Sequence, residues 1–248
     1  MDTNRIEREK NYHDLRFENE DPRRSVKKYY SVVQSTKAIY RQHIISKCDG
    51  ATLLELGCGP CGSTQLWDRN GARVTGIDIS SEAIKKANQT AENNGLSIDY
   101  FAMNAEKTEF PDNHFDLVVG MGIIHHLELN NCYQELARIL KPNGSAYFLE
   151  PLGHNPLVNA YRLVTPSLRT EDEHPLLLAD IDLAKEYFDE VTPEFYQLSS
   201  LAAFPFRSTS AFGPIASRLE KFDQLIFKHI PYLRRHAWVS ILNFGNPK

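Results

Sequence analysis

Between residues 51 and 150, short apolar runs alternate with segments of helical character. The helical segments carry caps such as Ser80-Ser81-Glu82 and stops such as Gly95. Strands that alternate with helices predict an α/β fold, with right-handed βαβ units in a doubly wound parallel sheet. Ligands of such sheets bind beyond the carboxyl ends of the strands. The predicted strands are 51–56, 73–77, 98–103, 115–120 and 145–149.

The two flanks have a different pattern. Residues 1–24 are dense in both charge signs, which predicts a mobile arm or an exposed helix, and helical apolar spacing follows up to residue 45. After residue 150 come a proline- and histidine-rich stretch, a helix at 182–188, a strand at 194–198, a helical stripe and a last strand at 236–243. We expect one compact domain with three parts: an N-terminal arm and helical lid (1–48), a core (49–150), and a substrate cap that also completes the sheet (151–248).

Composition narrows the function classes. The 248 residues are 42% hydrophobic and 24% charged, as in ordinary globular proteins. A net charge of -4 gives no reason to expect a nucleic-acid partner. No apolar run approaches the roughly 18 residues of a membrane span, so we expect no integral membrane association. Four cysteines are too few for a disulfide framework, and the first ten residues hold no signal-peptide apolar region, so we expect a cytoplasmic protein.

The loop after the first strand fits two cofactor patterns. Gly57, Gly59 and Gly62 give the spacing G-x-G-x-x-G, and Asp78 follows at the end of the second strand, as in dinucleotide-binding proteins. Glu55, however, would place a carboxylate near a pyrophosphate bound at the helix N-terminus. The same carboxylate suits a cofactor with an ammonium group, such as S-adenosylmethionine. An acid at the position of Asp78 can bind the ribose hydroxyls of either cofactor.

The motifs that follow favour the second cofactor. They are Glu55-x-Gly57-x-Gly59, 76–80 (GIDIS), Asn104-Ala105-Glu106, 110–119 (FPDNHFDLVV), 122–127 (GIIHHL) and 136–144 (LARILKPNG). In this order they resemble the class I S-adenosylmethionine-dependent methyltransferases, and more narrowly the small-molecule group that includes quinone-biosynthesis and natural-product enzymes. The resemblance covers about residues 50–150. It implies a Rossmann-like, mostly parallel seven-stranded sheet, with an N-terminal helical lid and a cap inserted after strand five.

The resemblance also implies which residues bind the cofactor. Glu55, Gly57, Cys58 and Gly59 would surround its methionine part, and Asp78 its ribose. Further along the chain, the residues expected to lie against the adenine or beside the cofactor are Ile79, Asn104, Ala105 and Met121.

Residues for the chemistry lie in two clusters. If the acceptor must lose a proton, a general base is needed, and the candidates are His126 after the fourth strand and Glu150 and His154 around the fifth. Acceptor contacts are expected from Tyr30 in the lid and from Arg169 and His174 in the cap. His126, Glu150, His154 and His174 have no tight ligand spacing, so no metal site is predicted.

The leading hypothesis is therefore a methyltransferase that uses S-adenosylmethionine and a small-molecule acceptor, in secondary-metabolite, quinone or lipid-like biosynthesis. Transfer to oxygen is favoured over transfer to carbon or nitrogen. The alternatives are an NAD(P)-dependent oxidoreductase and a non-catalytic protein that binds S-adenosylmethionine.

Overall fold

The computed structural model describes residues 3–18, 32–60, 62–165 and 172–248. These residues form a seven-stranded sheet in the order β3-β2-β1-β4-β5-β7-β6. The strands β1 to β5 pair in parallel, and β7 runs antiparallel to both β5 and β6. Their bounds are β1 Thr52–Leu56, β2 Arg73–Asp78, β3 Asp99–Ala102, β4 Phe115–Met121, β5 Leu140–Pro151, β6 Phe188–Tyr196 and β7 Val239–Pro247. The doubly wound α/β sheet predicted from the sequence is confirmed.

Eight α-helices accompany the sheet within the described residues. They are α1 Thr3–Glu18, α2 Gln34–Ile45, α3 Thr64–Arg69, α4 Ser81–Asn93, α5 Leu129–Ile139, α6 Pro156–Leu163, α7 Leu178–Leu183 and α8 Phe212–His229. None of the described helices combines the length and apolar character needed to cross a membrane.

Both faces of the sheet are buried, which leaves its edges and strand ends for ligands. Successive residues of a strand point to opposite faces, so Leu54 and Val118 belong to one apolar core while Leu53, Leu117 and Val119 belong to the other. The continuous apolar run of β4 reflects this double burial.

The observed elements differ from the predicted ones mainly near the ends of the chain. Residues 3–18 form a helix that buries Glu9, so this stretch is not a mobile arm. The predicted helix at 182–188 is wrong in its second half: α7 ends at Leu183, a single 3-10 turn follows, and β6 already begins at Phe188. β6 is an edge strand that contains Pro193 and exposed acids, so its apolar alternation is weak.

Candidate active site

A cavity of about 460 Å³ lies at the carboxyl ends of β1, β2, β4 and β5, beneath α1. One half is lined by residues that follow β1, β2 and β3, and the other by residues that follow β4 and β5. The start of β7 contributes Trp238 and Val239. The cavity thus occupies the place where open α/β sheets bind ligands.

The glycine loop forms one wall of this cavity. Gly57 and Gly59 have φ angles of 62° and 55°, in the left-handed region that favours glycine. A Cβ atom at Gly57 would lie 3.0 Å from the Cδ1 atom of Ile123. Both glycines are therefore required by backbone conformation, and Gly57 also by the close approach of the loop after β4.

Asp78 connects the end of β2 to this loop. Its Oδ2 accepts a hydrogen bond from the Gly59 amide, and its Oδ1 accepts one from the Ser80 amide, each at 2.9 Å. Burial raises the pKa of Asp78, while these two bonds oppose the rise because they stabilise the carboxylate. The acid is thereby held at the cavity wall in a fixed orientation.

Seven of the nine residues predicted to bind the cofactor line the cavity: Gly57, Gly59, Asp78, Ile79, Asn104, Ala105 and Met121. Glu55 and Cys58 do not, contrary to expectation. The Glu55 carboxylate accepts hydrogen bonds from the Trp67 indole at 3.0 Å and from the Ser63 amide at 3.4 Å. Burial raises the pKa of Glu55 to about 8. Cys58 is buried beside Gly76, because its side chain points back towards β2.

At the other end of the cavity, Glu150 organises the loop after β4. This carboxylate is fully buried, and its Oε1 accepts hydrogen bonds from the Ile123 and Ile124 amides at 2.9 and 3.0 Å. Its Oε2 lies 2.6 Å from Nδ1 of His125. A carboxylate can only accept, so Nδ1 carries the proton. Nε2 of His125 lies 4.0 Å from Oε1 of Glu173. Both oxygens of Glu150 are engaged, so it positions His125 and the loop.

His126 faces the lid helix. Its Nδ1 lies 3.4 Å from Oε2 of Glu9, and its ring meets the His13 ring edge-on, with 5.7 Å between centroids. Its carbonyl oxygen accepts a hydrogen bond from Nη1 of Arg5 at 2.7 Å. The His125 and His126 rings are themselves only 4.3 Å apart, so both sit at this end of the cavity.

Two ion pairs hold α1 over the cavity. Arg5 pairs with the buried carboxylate of Glu106, which follows β3. Arg8 makes a two-pronged contact with Asp172, from Nε to Oδ2 at 3.0 Å and from Nη2 to Oδ1 at 2.8 Å. The lid is therefore attached both to the core and to the segment after α6.

Four predicted residues lie away from the cavity or outside the described residues. His154 does not line the cavity: its Nε2 accepts a hydrogen bond from the Leu178 amide at 3.5 Å, and its carbonyl lies 3.0 Å from Nδ1 of His236. Burial and the nearby Arg235 lower the pKa of His154. His174 is exposed and also absent from the lining. Tyr30 and Arg169 lie outside the described residues.

The residues missed by sequence reasoning are cavity-lining acids and bases: Glu9, His13 and Glu173. Glu9 and His13 are spaced i, i+4 on one helix, which places them on the same side. Within this charged stretch, that spacing was the signal that could have identified Glu9 and His13 as neighbours on one face of a helix. Glu173 directly precedes His174, and it lines the cavity whereas His174 is exposed.

The glycine loop, the acid after β2 and the antiparallel β7 together define the fold of class I S-adenosylmethionine-dependent methyltransferases. Residues 54–148 match the family described as "Methyltransferase domain". S-adenosyl-L-methionine is the cofactor of the methyltransferases that this segment resembles, and the dinucleotide alternative finds no support among the relatives.

Two curated relatives and one solved structure illustrate the similarity. The ubiquinone biosynthesis O-methyltransferase of Actinobacillus pleuropneumoniae is 31% identical over 150 residues, which are 58% of this chain and 62% of that protein. The sterol 24-C-methyltransferase ERG6B of Gibberella zeae is 35% identical over 109 residues, 42% of this chain and 29% of that protein. These matches cover less than two thirds of either relative.

The solved structure is the Haemonchus contortus phosphoethanolamine N-methyltransferase 2 in complex with S-adenosyl-L-methionine. It superposes with a TM-score of 0.66 at 14% identity, over 96% of this chain and 60% of that one. At this level of identity the likeness concerns the fold.

Proposed function

We propose that this protein transfers a methyl group from S-adenosylmethionine to a small-molecule acceptor. The observation that carries the proposal is a single cavity that joins the glycine loop and Asp78 at one end to two buried histidines at the other. Oxygen is the favoured acceptor atom, and carbon is the alternative. One relative is named an O-methyltransferase of ubiquinone biosynthesis and the other a sterol C-methyltransferase.

In this proposal the cofactor lies along the ends of β1, β2 and β3. Its methionine part contacts the Gly57–Gly59 turn, where the absence of side chains allows close approach. Asp78 binds the ribose hydroxyls, and the adenine lies against Ile79, Asn104 and Ala105. Met121, at the end of β4, borders the sulfonium. Glu55 contributes indirectly, because it holds the amide of Ser63 and the indole of Trp67 under the loop.

The acceptor then occupies the remaining half, next to His125, His126, Tyr161 and Trp238. Methyl transfer is an in-line displacement, so holding the acceptor atom in line with the sulfur–methyl bond supplies much of the acceleration. The lid contributes by covering the reacting atoms.

For a hydroxyl acceptor, His125 is the group best placed to take the proton. Glu150 fixes the proton on Nδ1 and leaves Nε2 as acceptor. As the new oxygen–methyl bond forms and the sulfur–methyl bond breaks, the hydroxyl proton passes to Nε2 and S-adenosylhomocysteine is released. In this proposal the general base is His125, and Glu150, which was expected to act as the base, positions it instead. His126 lies beside the acceptor.

The test is titration of the purified protein with S-adenosylmethionine, followed by turnover on a panel of small phenols and sterols. We expect binding, S-adenosylhomocysteine formation, and a loss of kcat of about 100-fold or more in His125→Ala with little change in cofactor affinity. Glu150→Gln should shift the pH profile of kcat as well as lower it. His229→Ala, at the exposed end of α8, is the control. Absence of cofactor binding would refute the proposal.

A further inference from the structure

We propose that Glu9, His13 and His126 form a binding site for a divalent transition-metal ion, with Zn²⁺ as the best match. All three residues line the cavity, and two of them belong to the lid helix α1 while the third follows β4. Their ligand atoms all lie within 4.8 Å of one another. This inference rests on the contact between lid and core and is independent of methyl transfer.

The distances fit a metal centre. Glu9 Oε2 is 3.5 Å from Nε2 of His13 and 3.4 Å from Nδ1 of His126. Ligand atoms about 2.0–2.1 Å from a tetrahedral zinc lie about 3.3 Å apart. The carboxylate therefore stands at nearly the required separation from both nitrogens. The ligand nitrogens of the two rings lie within 4.8 Å of each other.

A second observation concerns His126 alone. Its Nδ1 is buried and makes no hydrogen bond to any described residue, although the residue is only 7% exposed. A buried polar nitrogen without a hydrogen bond destabilises the folded protein, because it has given up its hydrogen bonds to water. A metal ion at the proposed position would give this nitrogen the partner that the described residues do not.

The donor set selects the kind of ion. Two imidazole nitrogens and one carboxylate oxygen suit zinc and similar transition metals, whereas magnesium prefers an octahedral shell of oxygens. Three protein ligands leave one position of a tetrahedral ion free. Because all three ligands line the cavity, the ion would border it.

A neighbouring group, His125, His126 and Glu173, also comes within ligand distance, but its carboxylate is already paired. Oε1 of Glu173 lies 2.9 Å from Nη1 of Arg162. The Arg162 cation already neutralises this carboxylate. We therefore place the ion on the lid side of His126.

The experiment measures metal binding directly, on the full chain freed of any histidine tag and of metal by chelation. Zn²⁺ is titrated against a chromophoric competitor, and Co²⁺ serves as a spectroscopic probe of tetrahedral geometry. We expect one ion per chain, no competition by Mg²⁺, and slower amide exchange in α1 when Zn²⁺ is bound. Loss of a residue that only orients a metal ligand weakens metal binding about 10–100-fold, so loss of a ligand itself in His13→Ala or Glu9→Gln should weaken it at least about 100-fold.

His229→Ala is the matched control and should bind like the unmodified protein. His125→Ala and Glu173→Gln report on the neighbouring group and should leave zinc affinity within about tenfold. Zinc binding that His13→Ala leaves intact, or that Glu173→Gln abolishes, would overturn the proposal, as would no binding at all. Cofactor titration of the same metal-free protein tests the proposed methyltransferase function separately.

Discussion

Asp78 accepts a hydrogen bond from the amide of Gly59, so the acid at the end of β2 and the glycine turn after β1 form one rigid unit. Residues 19 positions apart thus share one side of the cavity. The orientation of the carboxylate is set before any ligand arrives.

Replacing Asp78 by Asn should weaken S-adenosylmethionine binding. Hydrogen bonds to a charged group contribute about 1.5–3 kcal/mol, which corresponds to roughly 10–150-fold in affinity. Calorimetric titration measures the change. Asp116→Asn is the control, because Asp116 binds Lys141 and Thr52 at the opposite end of β4. A cofactor affinity that falls equally in both variants would contradict the assignment of the ribose to Asp78.

Gly57→Ala should reduce both stability and cofactor binding. The φ of 62° is unfavourable for alanine by about 1–2 kcal/mol, and the added methyl group would also press on Ile123. Gly95→Ala is the matched control: its φ of 61° carries the same backbone penalty, but nothing lies within 4 Å of the new Cβ. Urea unfolding and cofactor titration of both variants separate the two effects. Equal loss of cofactor affinity in Gly95→Ala would mean that backbone strain alone explains the result.

The free energy of unfolding of Glu55→Gln should increase relative to that of the unmodified protein as pH rises. The pKa of Glu55 is about 8 in the folded protein against an ordinary value of 4.5, so the folded state holds this proton more tightly. The stabilisation that protonated Glu55 gives the folded state is fully present below about pH 4.5 and is lost progressively up to about pH 8. At about 1.4 kcal/mol per pKa unit the effect reaches several kcal/mol. Glutamine stays neutral and can still accept from Trp67.

The measurement is the free energy of unfolding in urea at about pH 3, pH 5 and pH 8, a range that spans the ordinary and raised pKa values of a glutamate. Glu135→Gln is a control of opposite sign, because contacts with Arg138 and Thr108 lower the pKa of Glu135. That variant should lose stability at neutral pH, and the loss should shrink as pH falls below about 4.5. A pH-independent difference between Glu55→Gln and the unmodified protein would show that Glu55 is ionised throughout.

The Arg8–Asp172 pair should hold the lid in a salt-dependent manner. Exposed pairs contribute about 0.2–1 kcal/mol, and screening reduces this at high ionic strength. A double-mutant cycle with Arg8→Ala and Asp172→Ala, followed by hydrogen exchange of the α1 amides, measures the coupling. We expect a coupling within that range at low salt that disappears at about 1 M salt. Zero coupling at low salt would show that this pair does not hold the lid.

The features that depend on apolar periodicity and motif spacing over short stretches of chain could be predicted from the sequence. The parallel strands, the Gly57–Gly59 turn and Asp78 were all predictable, because a βαβ unit brings consecutive strand ends to one edge. The side chain of Glu55 was misplaced, since its spacing in the motif does not show that it turns towards Trp67. His154 was misplaced for a similar reason: it lies just before α6, where its side chain meets α7.

The lid was the least predictable part. The face of α1 that lines the cavity mixes the polar residues Arg5, Glu9, His13 and Arg16 with the apolar Ile6 and Phe17, so it lacks the continuous apolar stripe of a usual packed helix. Polar residues that bury against other polar residues leave no hydropathy signal. The residues that bind α1 from elsewhere, Glu106, His126 and Asp172, lie 101, 121 and 164 positions along the chain from their partners in the helix.

The position of β7 has a consequence for the order of folding. This strand lies between β5 and β6 in the sheet, although it follows both in the chain. Until β7 enters, β5 has an open edge and β6 has no neighbour, and unpaired edges favour association with other chains. The residues from Gly57 to Met121 that line one side of the cavity precede β7 in the chain. The opposite side includes Trp238 and Val239, which arrive with β7, so on a growing chain the cavity is completed only when this last strand enters the sheet.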